Sequence, residues 1–238
     1  MNIAPNQIEH PGGMLCFASK WLGRRGVEYR SIDGDGRKTM VRRAHELLDE
    51  ADAVIHYNGK RFDCPLINQE FLLSKLPPPA PYRQIDLYQT AKQFRFPHTK
   101  MECVLRVLDH PGKIEHEGFP LWRKCMGGSW YPHIKRTPAP EYRSAWRRMR
   151  QYNIRDTNAM EPLYHDFLPW IKGHPNVAQF DGLAGRCCPT CGSEKLQARG
   201  VARTATVTYR RFQCLRCGHW SRTRQADKSY GKPELVAA

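Results

Sequence analysis

The chain has 238 residues, with 38 Lys and Arg against 23 Asp and Glu, a formal net charge of +15 and a pI near 9.6. A 40% share of hydrophobic residues supports a packed core and excludes a disordered chain. A mean hydropathy of −0.67, with no apolar run of roughly twenty residues, excludes a membrane-spanning helix.

That length fits one ordinary domain plus a small one, or two modest domains. The excess of cations directs the chain to a polyanion, nucleic acid first, because Lys and Arg contacts release counterions condensed on phosphates. Met1-Asn2-Ile3-Ala4-Pro5 shows no basic stretch followed by an apolar one. No secretory signal is therefore read, and a cytoplasmic setting is expected. Nine cysteines, an odd number without an export signal, argue for a reducing compartment and a metal site rather than a disulfide framework.

In chain order, residues 13–22 and 27–33 read as a β-hairpin around Gly23-Arg24-Arg25-Gly26. Residues 38–51 carry Met40, Val41, Ala44, Leu47 and Leu48 at helical spacing. Residues 53–57 are a buried-strand run closed by Asn58-Gly59. A helix is expected over 63–76, with Asp63 as its cap and Pro65 in its first turn; Pro77-Pro78-Pro79 stops it. Residues 82–87, containing Asp86, read as a strand. Helices are expected from there to about 93 and around 99–108. The Gly-, Pro- and His-rich stretch 110–139 reads as irregular. Residues 140–171 form a long helical pattern that Pro162 could kink.

This order predicts an α/β domain over 1–172, a linker over 173–186, a cysteine-anchored unit over 187–222 and a basic flexible tail over 223–238. Cys188-Pro189-Thr190-Cys191-Gly192 and Cys214-Leu215-Arg216-Cys217-Gly218 are two C-x-x-C-G knuckles, with 22 residues between Cys191 and Cys214. Two thiolate pairs complete a tetrahedral sulfur site, which suits a structural Zn²⁺. With a strand expected over 205–212, the pattern is a zinc ribbon. A unit this short buries too little surface to fold alone, and the metal supplies the difference. Cys187 reads as a spectator, with exchange for Cys188 left open. From 186 onwards there are eleven Lys and Arg against three acids, interleaved with Tyr209, Phe212 and Trp220. Arg210, Arg211 and Arg216 are the candidate nucleic-acid contacts, the aromatics adding base stacking.

The stretch His56-Tyr-Asn58-Gly59-Lys-Arg-Phe62-Asp63-Cys-Pro65 places Asp63 at a strand-to-helix mouth, where a cation can reach it. Tyr152-Asn-Ile-Arg-Asp156 puts a phenol and a carboxylate four apart, on one face of the long helix. Tyr152 could there orient or deprotonate a water while Asp156 holds a metal. Each segment alone also fits a plain structural role.

Together the two segments resemble the second and third motifs of the DEDD 3′–5′ exonucleases of the ribonuclease H-like family, in the tyrosine-bearing subclass. Met14-Leu-Cys-Phe-Ala-Ser-Lys-Trp-Leu22, Ile85-Asp86-Leu-Tyr and Lys113-Ile-Glu-His-Glu-Gly-Phe-Pro-Leu-Trp122 look similar to phage-encoded members of that group. The resemblance implies a mixed sheet flanked by helices and two-metal hydrolysis with Mg²⁺ or Mn²⁺. It assigns Asp63 and Asp156 to metal, Tyr152 to the attacking water, and Asn58 and Phe62 to the strand-end turn and substrate channel. The implied partner is a single-stranded or 3′-terminal nucleic acid, DNA in the first instance, met in the host cytoplasm. The family's first motif, D-x-E on a first strand, is not found in residues 1–12, where Glu9 is the one acid. The first strand is thus expected to be missing, its carboxylates with it. The chain could begin late, be a remnant or half of a split gene, or be a non-catalytic nucleic-acid-binding module.

Overall fold

The computed structural model describes residues 12–111, 118–127, 139–180, 182–183 and 185–231. Two compact units are present, Met1–Leu163 and Tyr164–Ala238, the division falling within one helix. No helix among the described residues is long and apolar enough to cross a membrane.

In the first unit, β1 (Cys16–Ser19) and β2 (Glu28–Ser31) form the antiparallel hairpin, Cys16 opposite Ser31 and Ser19 opposite Glu28. Helix α1 (Arg37–Glu50) leads to β3 (Ala53–His56), and α2 (Asp63–Leu73) crosses over to β4 (Arg83–Asp86). Strands β3 and β4 are parallel, running from Ala53 opposite Arg83 to His56 opposite Asp86. A parallel pair needs such a crossover, because a tight turn returns the chain antiparallel. Among the described residues these strands form two separate pairs, where a mixed sheet lacking its first strand was expected. Each strand is four residues long, and no described strand bridges the pairs.

Met40, Val41 and Ala44 of α1 pack with Met14 and with Phe71 of α2, all buried. Each large side chain so buried contributes about 1.5–3 kcal/mol. Glu70 sits in this core with its side chain only 1% exposed. It accepts the Met14 backbone N–H at 2.7 Å and the Arg37 guanidinium on both carboxylate oxygens. The ion pair thereby ties the segment before β1 to α1 and α2.

Helices α3 (Leu87–Ala91), α4 (Met101–Val107), α5 (Phe119–Met126) and α6 (Ala139–Phe167) follow. Helix α5 lies inside the stretch expected to be irregular. Pro120 occupies its first turn, where a missing N–H costs nothing, and Leu121 and Cys125, four apart, bury against Ala145, Trp146 and Met149 of α6. The Gly, Pro and His content around it hid this short apolar face. The rest of that stretch, 112–117 and 128–138, lies outside the described residues. Pro162 lies inside α6 without ending it.

In the second unit a 3₁₀ turn (Leu168–Trp170) precedes α7 (Val177–Phe180) and the antiparallel sheet of β5 (Leu196–Arg203), β6 (Thr208–Cys214) and β7 (Trp220–Arg222), with β6 central. Helix α7 falls in the stretch expected as linker. It is held by the Val177 N–H on the Pro189 carbonyl at 2.7 Å, and Ala178 is buried. The expected strand at 205–212 starts three residues late, because Thr204 and Val207 close the β5–β6 turn with a 2.9 Å backbone bond. Residues after β7 fold back onto β6 through Thr223 N–H to Arg210 and Asp227 N–H to Thr208, both 2.9 Å. A tail from 223 onward was expected; residues 232–238 lie outside the described residues.

Candidate metal centres

The C-terminal ends of β3 and β4 carry a tightly wired turn. Asn58 takes a left-handed conformation, φ 63°, which asparagine tolerates better than most residues. Its N–H donates to Asp86 Oδ1 at 2.7 Å, and the same oxygen caps α3 by accepting the Tyr88 N–H at 3.1 Å. His56 Nδ1 accepts the Gly59 N–H at 3.1 Å, so the ring proton sits on Nε2 and is donated to Gln84 Oε1 at 3.2 Å. Burial holds His56 below its usual pKa against the opposing pull of Asp86, keeping the ring neutral. A Cβ on residue 59 would stand 2.8 Å from His56 Cγ, so glycine is required there by contact alone. The Cys64 N–H then bonds the Gly59 carbonyl at 2.8 Å and launches α2.

Asp63 emerges from this turn as the first residue of α2. The N-cap is Phe62, with no side-chain cap bond, which corrects the expectation that Asp63 caps the helix. Asp63 as a whole residue is exposed, while its carboxyl group is partly covered by protein. The protein packed beneath it raises its pKa, and the charge of Asp86 acts in the same direction. Asp86 Oδ2 is buried without a hydrogen-bond partner.

Tyr152 and Asp156 project from α6. Burial is the largest influence on the Tyr152 phenol, followed by the charge and hydrogen bond of Asp156 and by the charge of Asp63. All push its pKa well up, so the phenol stays protonated and donates to Asp156. Tyr152 therefore lies within electrostatic reach of both aspartates, although they are distant in sequence. Trp122 of α5 meets the Tyr152 ring edge-on at 5.9 Å and fixes it from the other side. Phe62 is 61% exposed beside Asp63, with Arg61 over its ring at 5.7 Å. Among the described residues, no three carboxylate or imidazole ligand atoms of this unit come within 4.8 Å of one another.

His56 and Gln84 escaped the sequence reading. Their roles depend on the parallel register that sets His56 against Asp86, and no local pattern announces it.

In the second unit the sulfurs of Cys188, Cys191, Cys214 and Cys217 all lie within 4.8 Å of one another. Cys188 and Cys217 are 3.7 Å apart and Cys191 and Cys214 3.6 Å. Four sulfurs at a Zn–S distance of about 2.3 Å form a tetrahedron with edges of roughly 3.8 Å. The observed separations match that figure, and the all-thiolate donor set fits Zn²⁺. Gly192 and Gly218, at φ 70° and 76°, turn the two knuckles. Their N–H groups bond the carbonyls of Cys188 and Cys214 at 2.9 and 3.0 Å. Cys187 stands outside the cluster.

The three ribbon arginines do not act together. Arg210 is bound to Asp227 at 2.9 Å. Arg211, on the opposite face of β6, lies 4.7 Å over the Trp220 ring. Arg216 is exposed in the second knuckle, its N–H directed at Cys214 Sγ at 3.4 Å.

A family profile described as the RNase_H superfamily matches residues 15–168. No curated protein and no solved structure matches the chain. The matched span runs from β1 through α6, takes in Asp63, Tyr152 and Asp156, and covers well over half of the sequence; on that match, the chain belongs to the RNase H superfamily.

Proposed function

We propose that this protein is a metal-dependent 3′–5′ exonuclease of the tyrosine-bearing DEDD type, acting on single-stranded or 3′-terminal DNA, with the zinc ribbon as a nucleic-acid grip. Membership of a nuclease superfamily supports the reaction class. The observation that carries the reading is Tyr152, hydrogen-bonded to Asp156 and in the field of Asp63.

Asp63 and Asp156 offer hard carboxylate oxygens, the donors that Mg²⁺ or Mn²⁺ selects. The raised pKa of Asp63 and the orphaned Oδ2 of Asp86 mark a site short of positive charge. When bound, the cations supply Lewis-acid activation of water and neutralise charge on the phosphate. The chain's own part is placement. Tyr152, kept protonated, is a poor general base at neutral pH; it serves to orient the attacking water. Asp156 fixes its hydroxyl and Trp122 fixes its ring. The exposed Phe62 ring offers a stacking surface to the terminal base.

The test is degradation of end-labelled single-stranded DNA with Mn²⁺. Stepwise shortening from the 3′ end is expected, abolished by Asp63→Asn and by Asp156→Asn. Tyr152→Phe should slow the reaction without altering its pH profile. Hydrolysis untouched by both aspartate changes would overturn the proposal. One observation favours a second reading, that of a non-catalytic nucleic-acid-binding protein on a nuclease fold. Among the described residues of this unit no three carboxylate or imidazole ligand atoms gather within 4.8 Å of one another. Tight DNA binding without hydrolysis would decide for it.

A further inference from the structure

The ribbon sheet holds an arrangement that its own stability does not ask for. The β6–β7 register sets Arg211 directly opposite Arg222 and Gln213 opposite Trp220. Strand alternation puts Tyr209 on the same face. Like charges opposed across a ladder are destabilising. Here each guanidinium turns diagonally onto an aromatic ring, Arg211 over Trp220 at 4.7 Å and Arg222 over Tyr209 at 3.8 Å. Arg199 of β5 adds a third cation beside them. Its guanidinium donates to Gln213 Oε1 at 2.5 Å, and its carbonyl accepts from Arg211 Nε at 3.0 Å.

No acid neutralises this row. Among the described residues, Arg199, Arg211 and Arg222 form no ion pair, while Asp227 is engaged by Arg210 on the other face. Each guanidinium is held over a ring and carries several N–H donors in a fixed fork, the donor set that phosphate accepts from arginine. Trp220 is 42% exposed and offers ring surface to an unstacked base. A face that opposes two cations in register and interleaves them with aromatic rings is built for an anion with bases attached.

We infer that the Tyr209–Arg222–Arg211–Trp220 face of the ribbon binds single-stranded nucleic acid, phosphates on the arginines and bases on Trp220. The inference rests on the ribbon's proposed role as a nucleic-acid grip and deepens it, but does not depend on hydrolysis. It separates Arg211 from Arg210, which sequence alone groups together. The competing surface is a groove of about 640 Å³ lined by Arg186, Arg210, Arg224 and Lys228, with Asp227 among them; Arg222 borders it as well, so Arg211 and Trp220 are the residues that separate the two surfaces.

The experiment is fluorescence anisotropy with a labelled oligothymidylate. It uses the full chain carrying Asp156→Asn to prevent hydrolysis, over a series of salt concentrations. Trp220→Ala should weaken binding at least about fivefold, the lower end of what one base stack is worth. Arg211→Ala with Arg222→Ala should reduce the slope of log K against log salt by about 1.4, two phosphates at about 0.7 each for a single strand. Arg210→Ala should bind as the parent, and a duplex of equal length should bind more weakly. One zinc per chain in every variant shows that the ribbon is folded. If the paired alanine variant loses zinc, Arg211→Lys with Arg222→Lys replaces it and should keep the salt slope while losing affinity. The inference is overturned if the ladder variants bind as the parent while Arg210→Ala with Lys228→Ala does not, which would assign binding to the groove. It is equally overturned if Trp220→Ala is silent and duplex binds as well as single strand. Absence of hydrolysis by the chain with Asp156 intact would defeat the nuclease reading and leave this result standing.

Discussion

Gly59→Ala tests the wiring of the strand-end turn. The added methyl would stand 2.8 Å from His56 Cγ and 2.9 Å from Nδ1. The ring cannot swing away freely, because it is buried and held by Gln84 at 3.2 Å. Overpacking of this kind costs about 1–3 kcal/mol. Losing the Gly59 N–H bond to Nδ1 adds about 1 kcal/mol. Roughly 2–4 kcal/mol of destabilisation is expected, and on the order of 5–15 °C in Tm for a unit of this size. Urea titration followed by tryptophan fluorescence measures it. Gly12→Ala, where nothing lies within 4 Å of the new methyl, is the matched control and should change little. In a His56→Ala background the clash partner is gone, so Gly59→Ala should cost less than about 1 kcal/mol there, a coupling that only contacting residues show. A change below about 0.5 kcal/mol in the parent, or an equal cost in both backgrounds, would refute the contact argument. Because the Cys64 N–H bonds the Gly59 carbonyl, the same variant should also displace Asp63 and lower nuclease activity.

Two further outcomes follow from the charges around that turn. The Asp63 pKa is raised, so its charged form is strained in the folded state and the strain is absent below the ordinary carboxylate range. Asp63→Asn should therefore raise Tm at neutral pH while abolishing hydrolysis, and a lower Tm would count against the strained carboxylate. His56 has the opposite linkage: its folded pKa lies below the usual 6.5, so the unfolded chain takes up the proton first. Stability present above about pH 6.5 should be lost as pH falls below it. His56→Gln should flatten that part of the curve, and an unchanged pH dependence would remove His56 as its source.

Much of this organisation was legible because it rests on local signals. The hairpin, the βαβ crossover and the long helix each follow a period of two or 3.6 residues between clear breakers. The cysteine spacing led directly to four sulfurs in one cluster. What stayed hidden depends on partners far away in sequence. Glu70 has no local signal that sets it apart from the other acids, yet it is buried and bound by Arg37 and the Met14 N–H. The His56–Gln84 bond and the opposition of Arg211 to Arg222 exist only once a strand register is chosen. Helix α5 was missed for a different reason, since its apolar spacing is short and lies among residues that usually break helices.

The two candidate centres call for metals of opposite character, and this permits a clean separation. Four thiolates would hold a zinc ion with closed coordination, its binding inseparable from the fold of the ribbon. Asp63 and Asp156 are two carboxylates, one of them on an exposed residue, so a hard cation there remains in exchange with solvent. Brief treatment with EDTA should therefore abolish hydrolysis at once and leave one zinc per chain. Added Mn²⁺ should restore activity without any change in zinc content. Cys191→Ser should do the reverse, releasing zinc and unfolding the ribbon while hydrolysis of a dinucleotide persists. Zinc content is read by atomic absorption, activity by product length. Loss of activity that tracks zinc release across an EDTA titration would show that the cysteine cluster, and not the aspartates, holds the ion on which the reaction depends.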